Sequence, residues 1–268
     1  MQLDRAQIAI HERSWSDNLD LALHIIVRHA GPIAACAAAG IALPAVVNHL
    51  LLAPIAADDF QGSMTGVYYW LVILIMIEAP LATALVTIYL GQALFIERPS
   101  VRSALRVFIS CLPQMMLLQW VVRGILILPI VTWLVPYGFW PYVSEIILLE
   151  RNPLVSRGGQ LSTLKRSAVL HRGNSSQFML EGLGTLCVAG LLSLALTLTG
   201  NFLAQNLFGV ELDGVGSLMV AQASLWLVAT FFTAARFLNY LNQRIRDEGW
   251  ELELLLRAER DRLQRQPV

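Results

Sequence analysis

Long apolar runs parted by short Arg-rich segments limit what this chain can fold into more than any other feature. A bilayer core about 30 Å thick is crossed by a helix of roughly 20 apolar residues. Five runs reach that length: Gly31–Ile55, Val67–Leu90, Gly124–Leu149, Phe178–Leu198 and Val215–Ala235. Of the 268 residues 56% are hydrophobic and 14% charged, against about 25% charged in a soluble domain, so the apolar surplus exceeds what one soluble core needs. A sixth run, Ala104–Val122, is shortened by Arg102 and Arg106 and is required by alternation. If Val107 to Leu134 formed one span, the Pro- and aromatic-rich remainder before Arg151 would be too short to recross. A break at Arg123 and Gly124, a basic residue followed by a helix-ending glycine, gives two spans instead. These features predict an all-α polytopic transmembrane bundle of six spans over residues 31–235. A segment with an interfacial helix precedes it over 1–30, and an amphipathic helix follows it over 236–268.

Orientation follows from Lys and Arg, which are kept on the cytoplasmic side. With six spans, every one of the 19 Lys and Arg residues except Arg123 falls on one face. The longer loops of the other face carry Asp58, Asp59, Glu211 and Asp213 and no Lys or Arg. Both termini are therefore expected in the cytoplasm, with the chain a multi-pass protein of the cell membrane. A cleaved signal peptide is not expected, because Asp4, Glu12, Asp17 and Asp20 interrupt the first twenty residues. Net charge is zero, which gives no reason to expect a nucleic-acid partner. The basic face instead suits anionic lipid headgroups.

A mixed apolar and basic stretch leads into each odd-numbered span: Asn18–His29, Ser100–Ser110 and Leu161–Arg172. Leu19, Leu23, Ile26 and Val27 recur at helical spacing, so such a stretch can lie along the headgroups before turning into the bilayer. Three of these units would make a threefold repeat. Beyond Ala235 the apolar positions Leu241, Ile245, Leu252, Leu255 and Leu256 share a side, with Glu253 and Arg257 as an i,i+4 pair. This predicts a helix lying on the membrane or on a partner, or else a solvated helical tail.

The run YLNQRIRDEGWELELLLRAE, Tyr240–Glu259, resembles the closing signature of uncharacterised bacterial multi-pass proteins. Those are related to the membrane domain found beside some glycerophosphodiester phosphodiesterases. Ser144–Arg172, with its acidic residues, short linker and LKRS helix, and Ile77–Phe95 resemble the same group. The resemblance covers about a quarter of the chain. It implies a helical membrane domain in the bacterial inner membrane without phosphodiesterase activity, because the catalytic barrel of about 250 residues has no room here.

Ionisable groups within spans are rare and expensive, so each is a candidate site. Glu78 lies near the middle of Val67–Leu90, with Asn48 and His49 of the first span at a compatible depth. It is either a neutral acid or interhelical hydrogen bond, or a proton or substrate site. Glu145 is expected to pair with Arg151 or with basic residues of the LKRS helix, and Glu181 to snorkel. Pro80, Pro129, Pro136 and Pro141 should kink or break the second and fourth spans. The stripe Ala34, Ala38 and Ala42, with Ala35 and Ala39 beside it, permits close helix packing.

The five His residues form no ligand-spaced pair, and Cys36, Cys111 and Cys187 lie singly in apolar runs. No metal or cofactor is expected, and no catalytic constellation points to an enzyme. Two functions remain: a non-enzymatic scaffold or accessory subunit of a membrane complex, or a small transporter or channel using Glu78. The second requires a polar cavity that reaches Glu78.

Overall fold

The computed structural model describes residues 14–58, 64–93, 101–127, 140–156, 161–170 and 175–248. Every regular element among them is helical. Helix α1 is Trp15–Arg28 and α2 is Ala30–Asp58; α3, Thr65–Ala82, continues as α4, Ala84–Ala93. Helix α5, Val101–Met115, runs through an i→i+5 stretch at Met116–Val122 into α6, Arg123–Ile127. After it come α7, Val143–Glu145, with a second such stretch at Ile146–Glu150, then α8, Thr163–Leu170, α9, Ser175–Asn206, and α10, Gly214–Glu248.

Five helical stretches among the described residues are long and apolar enough to cross a membrane: Ala30–Asp58, Thr65–Ala93, Val101–Leu126, Ser176–Asn206 and Gly214–Asp247. The chain is thus an all-α, membrane-spanning bundle. Residues 128–139 of the expected fourth span, Gly124–Leu149, lie outside the described residues. The expected break at Arg123 and Gly124 does not occur, because the helix continues through both to Ile127. A Cβ on Gly124 would stand 3.5 Å from Ile77 Cγ2, an ordinary contact. That contact sets Arg123 and Gly124 level with the middle of the Thr65–Ala93 stretch, not beyond its end.

Helices α2, α3, α4 and α10 make the centre. α3 and α10 run parallel, with Tyr68 and Ser217 joined by their hydroxyls at 3.1 Å and Thr233 donating to Thr83 at 2.8 Å. Thr83 interrupts the second span three residues after Pro80, and its hydroxyl donates to the Ala79 carbonyl at 2.7 Å. Proline has no N–H to donate to the preceding turn, so the interruption falls where sequence places it. The tightest crossing is at Gly40, where a Cβ would lie 1.9 Å from the Ala82 carbonyl oxygen. The close packing of α2 is therefore made through Ile33, Cys36 and Gly40, whereas Ala34, Ala38 and Ala42 of the expected stripe are exposed.

Helix α1 begins at a capping box in which Ser14 Oγ accepts from the Asp17 N–H at 3.2 Å and Asp17 Oδ2 accepts from the Ser14 N–H at 3.1 Å. It ends at His29, ahead of Gly31 and Pro32. Its apolar residues divide: Leu19, Ala22 and Ile26 pack against Phe237 and Leu238 of α10, while Leu23 and Val27 face outward. The buried Asn18 donates to Asn239 Oδ1 at 2.7 Å, fixing α1 to α10. The second expected interfacial stretch, Ser100–Ser110, lies from Val101 onward inside α5, continuous with the third span. The start of the expected surface tail is also packed, with Phe237, Leu238, Tyr240 and Ile245 all buried. Trp250, Leu252, Glu253, Leu255, Leu256 and Arg257 lie outside the described residues.

Candidate functional site

Three polar features are built into the bundle. The first joins α2 to α3. Asn48, completely buried, donates its side-chain N–H to Glu78 Oε2 at 2.7 Å, while Asn48 Oδ1 has no hydrogen-bond partner. The pairing expected of Asn48 is present. His49 follows it on α2, turned about 100° around the helix, and is only half-buried. Glu78 and Asn48 thus act as a hydrogen bond between two apolar helices, which double-mutant work on membrane bundles values at about 0.6 kcal/mol.

The second feature lies at the Arg-rich end. Glu145, completely buried, accepts from Arg236 Nε at 2.7 Å. Its other oxygen and Arg236 Nη2 are buried without hydrogen-bond partners. The expected partner, Arg151, is exposed and sits at φ 54°, where it ends the α7 stretch in the left-handed conformation more often taken by glycine. The LKRS helix, α8, serves Glu150 instead. Arg166 grips that carboxylate with Nε at 2.8 Å from Oε2 and Nη2 at 3.0 Å from Oε1. Tyr240 donates to Oε1 at 2.7 Å, Arg244 Nε lies 3.6 Å from the same oxygen, and Asn152 donates to Oε2 at 3.1 Å. One acid therefore ties α7, α8 and α10 together. A bidentate Arg grip fixes geometry as well as charge. Gln114 of α5 extends the linkage by donating to the Asn152 carbonyl at 3.2 Å and to Thr163 Oγ1 at 2.6 Å.

The third feature is a cavity of about 570 Å³ between α3, α9 and α10, closed in part by α1, α6 and α7. Its walls are mostly apolar, with Arg123, Glu181, Arg236 and Asn239 among its polar groups. Glu78 does not line it, so the polar cavity required of a Glu78 transporter is not formed by this space. Arg123 is the residue that sequence reasoning misplaced. Taken as a boundary marker, it stands instead at mid-span depth, buried, in a cavity wall. The signal was available, since an Arg inside an apolar stretch is itself a candidate. Among the described residues no group of three His, Cys, Asp or Glu side chains could hold a metal ion.

Comparison of the chain with protein-family models, with curated proteins and with solved structures finds no match.

Proposed function

We propose that this chain is a non-enzymatic scaffold or accessory subunit of a membrane complex, of the bacterial inner membrane, that engages anionic headgroups through its Arg-rich, cytoplasmic end. One observation carries this: the cations of that end divide into two sets. Arg166, Arg236 and Arg244 turn inward onto Glu150 and Glu145 and hold helices together. Arg28, Arg102, Arg106, Arg151 and Lys165 stay exposed. Exposed cations at a leaflet surface each contribute about 1 kcal/mol of attraction to anionic lipid. The proposal extends to the resemblance: a membrane domain related to the one found beside some glycerophosphodiester phosphodiesterases.

The test is enrichment of spin-labelled phosphatidylglycerol around the chain in mixed bilayers. Replacing Arg102, Arg106, Arg151 and Lys165 by Gln should abolish the enrichment while leaving the fold intact. Unchanged enrichment would refute the role given to this face. For a protein partner, the informative truncation ends at Glu248, because removal from Arg236 onward also removes the buried Phe237, Leu238 and Tyr240.

A further inference from the structure

Helix α9 approaches its neighbours at Gly184 and at Gly200 and leaves open space at Gly190 between them. A Cβ on Gly184 would meet the Trp15 ring at 3.9 Å, and one on Gly200 would meet Val220 Cγ1 at 2.7 Å. At Gly190, between the two, nothing lies within 4 Å. The space so enclosed is the 570 Å³ cavity, whose middle is walled by Val72, Ile75, Leu186, Leu194, Leu225 and Phe232. Polar groups line it along its length, with Arg123, Ser193 and Thr197 between its ends. Glu181 and Asn201 both line it and are separated along α9 by about 30 Å at 1.5 Å per residue, the thickness of a bilayer core.

The polarity of this space selects its occupant. Its lining is mostly apolar, which suits hydrocarbon. At the Arg-rich end the charges are of both signs. Glu181 accepts from the neutral Gln177 at 2.8 Å and is paired with no described cation. Arg236 uses Nε on Glu145, its Nη2 is buried without a partner, and its side chain as a whole is 22% exposed. Glu181 and Arg236, together with Glu145 and Arg246, stand within electrostatic reach of the Tyr142 hydroxyl. A lipid with only negative charge would meet repulsion at Glu181, and one with only positive charge would meet it at Arg236. A head that carries a phosphate and a primary ammonium satisfies both.

We propose that this cavity binds one phospholipid with an ethanolamine-type head, its acyl chain between α9 and the α3–α10 face, its phosphate on Arg236 and its ammonium on Glu181. This site lies inside the bundle and is separate from the exposed cations of the Arg-rich end.

The test uses the full chain in mild detergent, titrated with phosphatidylethanolamine, phosphatidylglycerol or phosphatidylcholine and read by native mass spectrometry. One phosphatidylethanolamine should be retained with about tenfold preference over phosphatidylglycerol, the scale of one charge-assisted hydrogen bond. Gly190→Leu fills the open middle of the cavity and should abolish retention, while Leu191→Phe, on the exposed side of α9, should not. Glu181→Gln should leave one lipid bound and remove the preference. Equal retention of the three lipids, no retained lipid, or retention unaffected by Gly190→Leu would each overturn the proposal.

Discussion

Removing Arg236 should strand a buried carboxylate. Glu145 is fully buried and its bond to Arg236 Nε is 2.7 Å long. At that separation and an effective dielectric of about 20 the attraction is roughly 6 kcal/mol. Desolvation of the two charges offsets most of it, so the intact pair contributes little beyond an apolar pair of the same shape. Arg236→Met keeps the stem but leaves Glu145 buried without its cation, and should cost about 3–5 kcal/mol. Glu145→Leu should cost a similar amount, because Arg236 is then the stranded charge. The double variant should recover most of either loss. Stability would be read from loss of helicity in detergent titrated with SDS, with the three variants forming a double-mutant cycle. Single variants that each cost under about 1 kcal/mol, with costs that simply add in the double, would refute the claim that this pair locks α7 to α10.

Other expectations follow from the packing. Gly40→Ala, which places a Cβ against the Ala82 carbonyl, should cost about 1–3 kcal/mol by overpacking, while Gly31→Ala, with nothing within 4 Å of its Cβ, should cost nothing measurable on the same titration. Asn48→Ala and Glu78→Ala should show a coupling of about 0.6 kcal/mol in a double-mutant cycle. Gly124→Cys should resist impermeant thiol reagents from both faces of the membrane, since Gly124 packs beside Ile77. Ready labelling from the face opposite the Arg-rich end would restore the two-span break.

Fold class was legible because membrane spans are written locally, in run length and hydropathy, and α2, α3 with α4, α9 and α10 occupy the runs expected of them. The Asn48–Glu78 bond was legible because depth alone brings the two residues level. Pairings over long sequence distance were not. Arg151 is near Glu145 in sequence, but Arg236, 91 residues away, reaches it in space. Arg123 and Gly124 imitate a helix end, yet the helix passes through both to Ile127. Likewise Ala34, Ala38 and Ala42 form a packing stripe on paper, yet the closest approach runs through Gly40, on another side of α2.

The central claim is that Glu78, Glu145 and Glu150 are ties between helices and not stations on a water-filled path. It is tested most directly at Glu78. In a chain whose Cys36, Cys111 and Cys187 are replaced by Ala, Glu78→Cys would be treated with a membrane-impermeant thiol reagent in intact cells and in inverted vesicles, with Cys at Asp58 and at Lys165 as controls. No labelling of Glu78→Cys from either side, with the controls reacting from opposite faces, is the predicted result. Labelling of Glu78→Cys from either side would mean that water reaches the middle of the bundle, and would contradict the account in favour of a transport path.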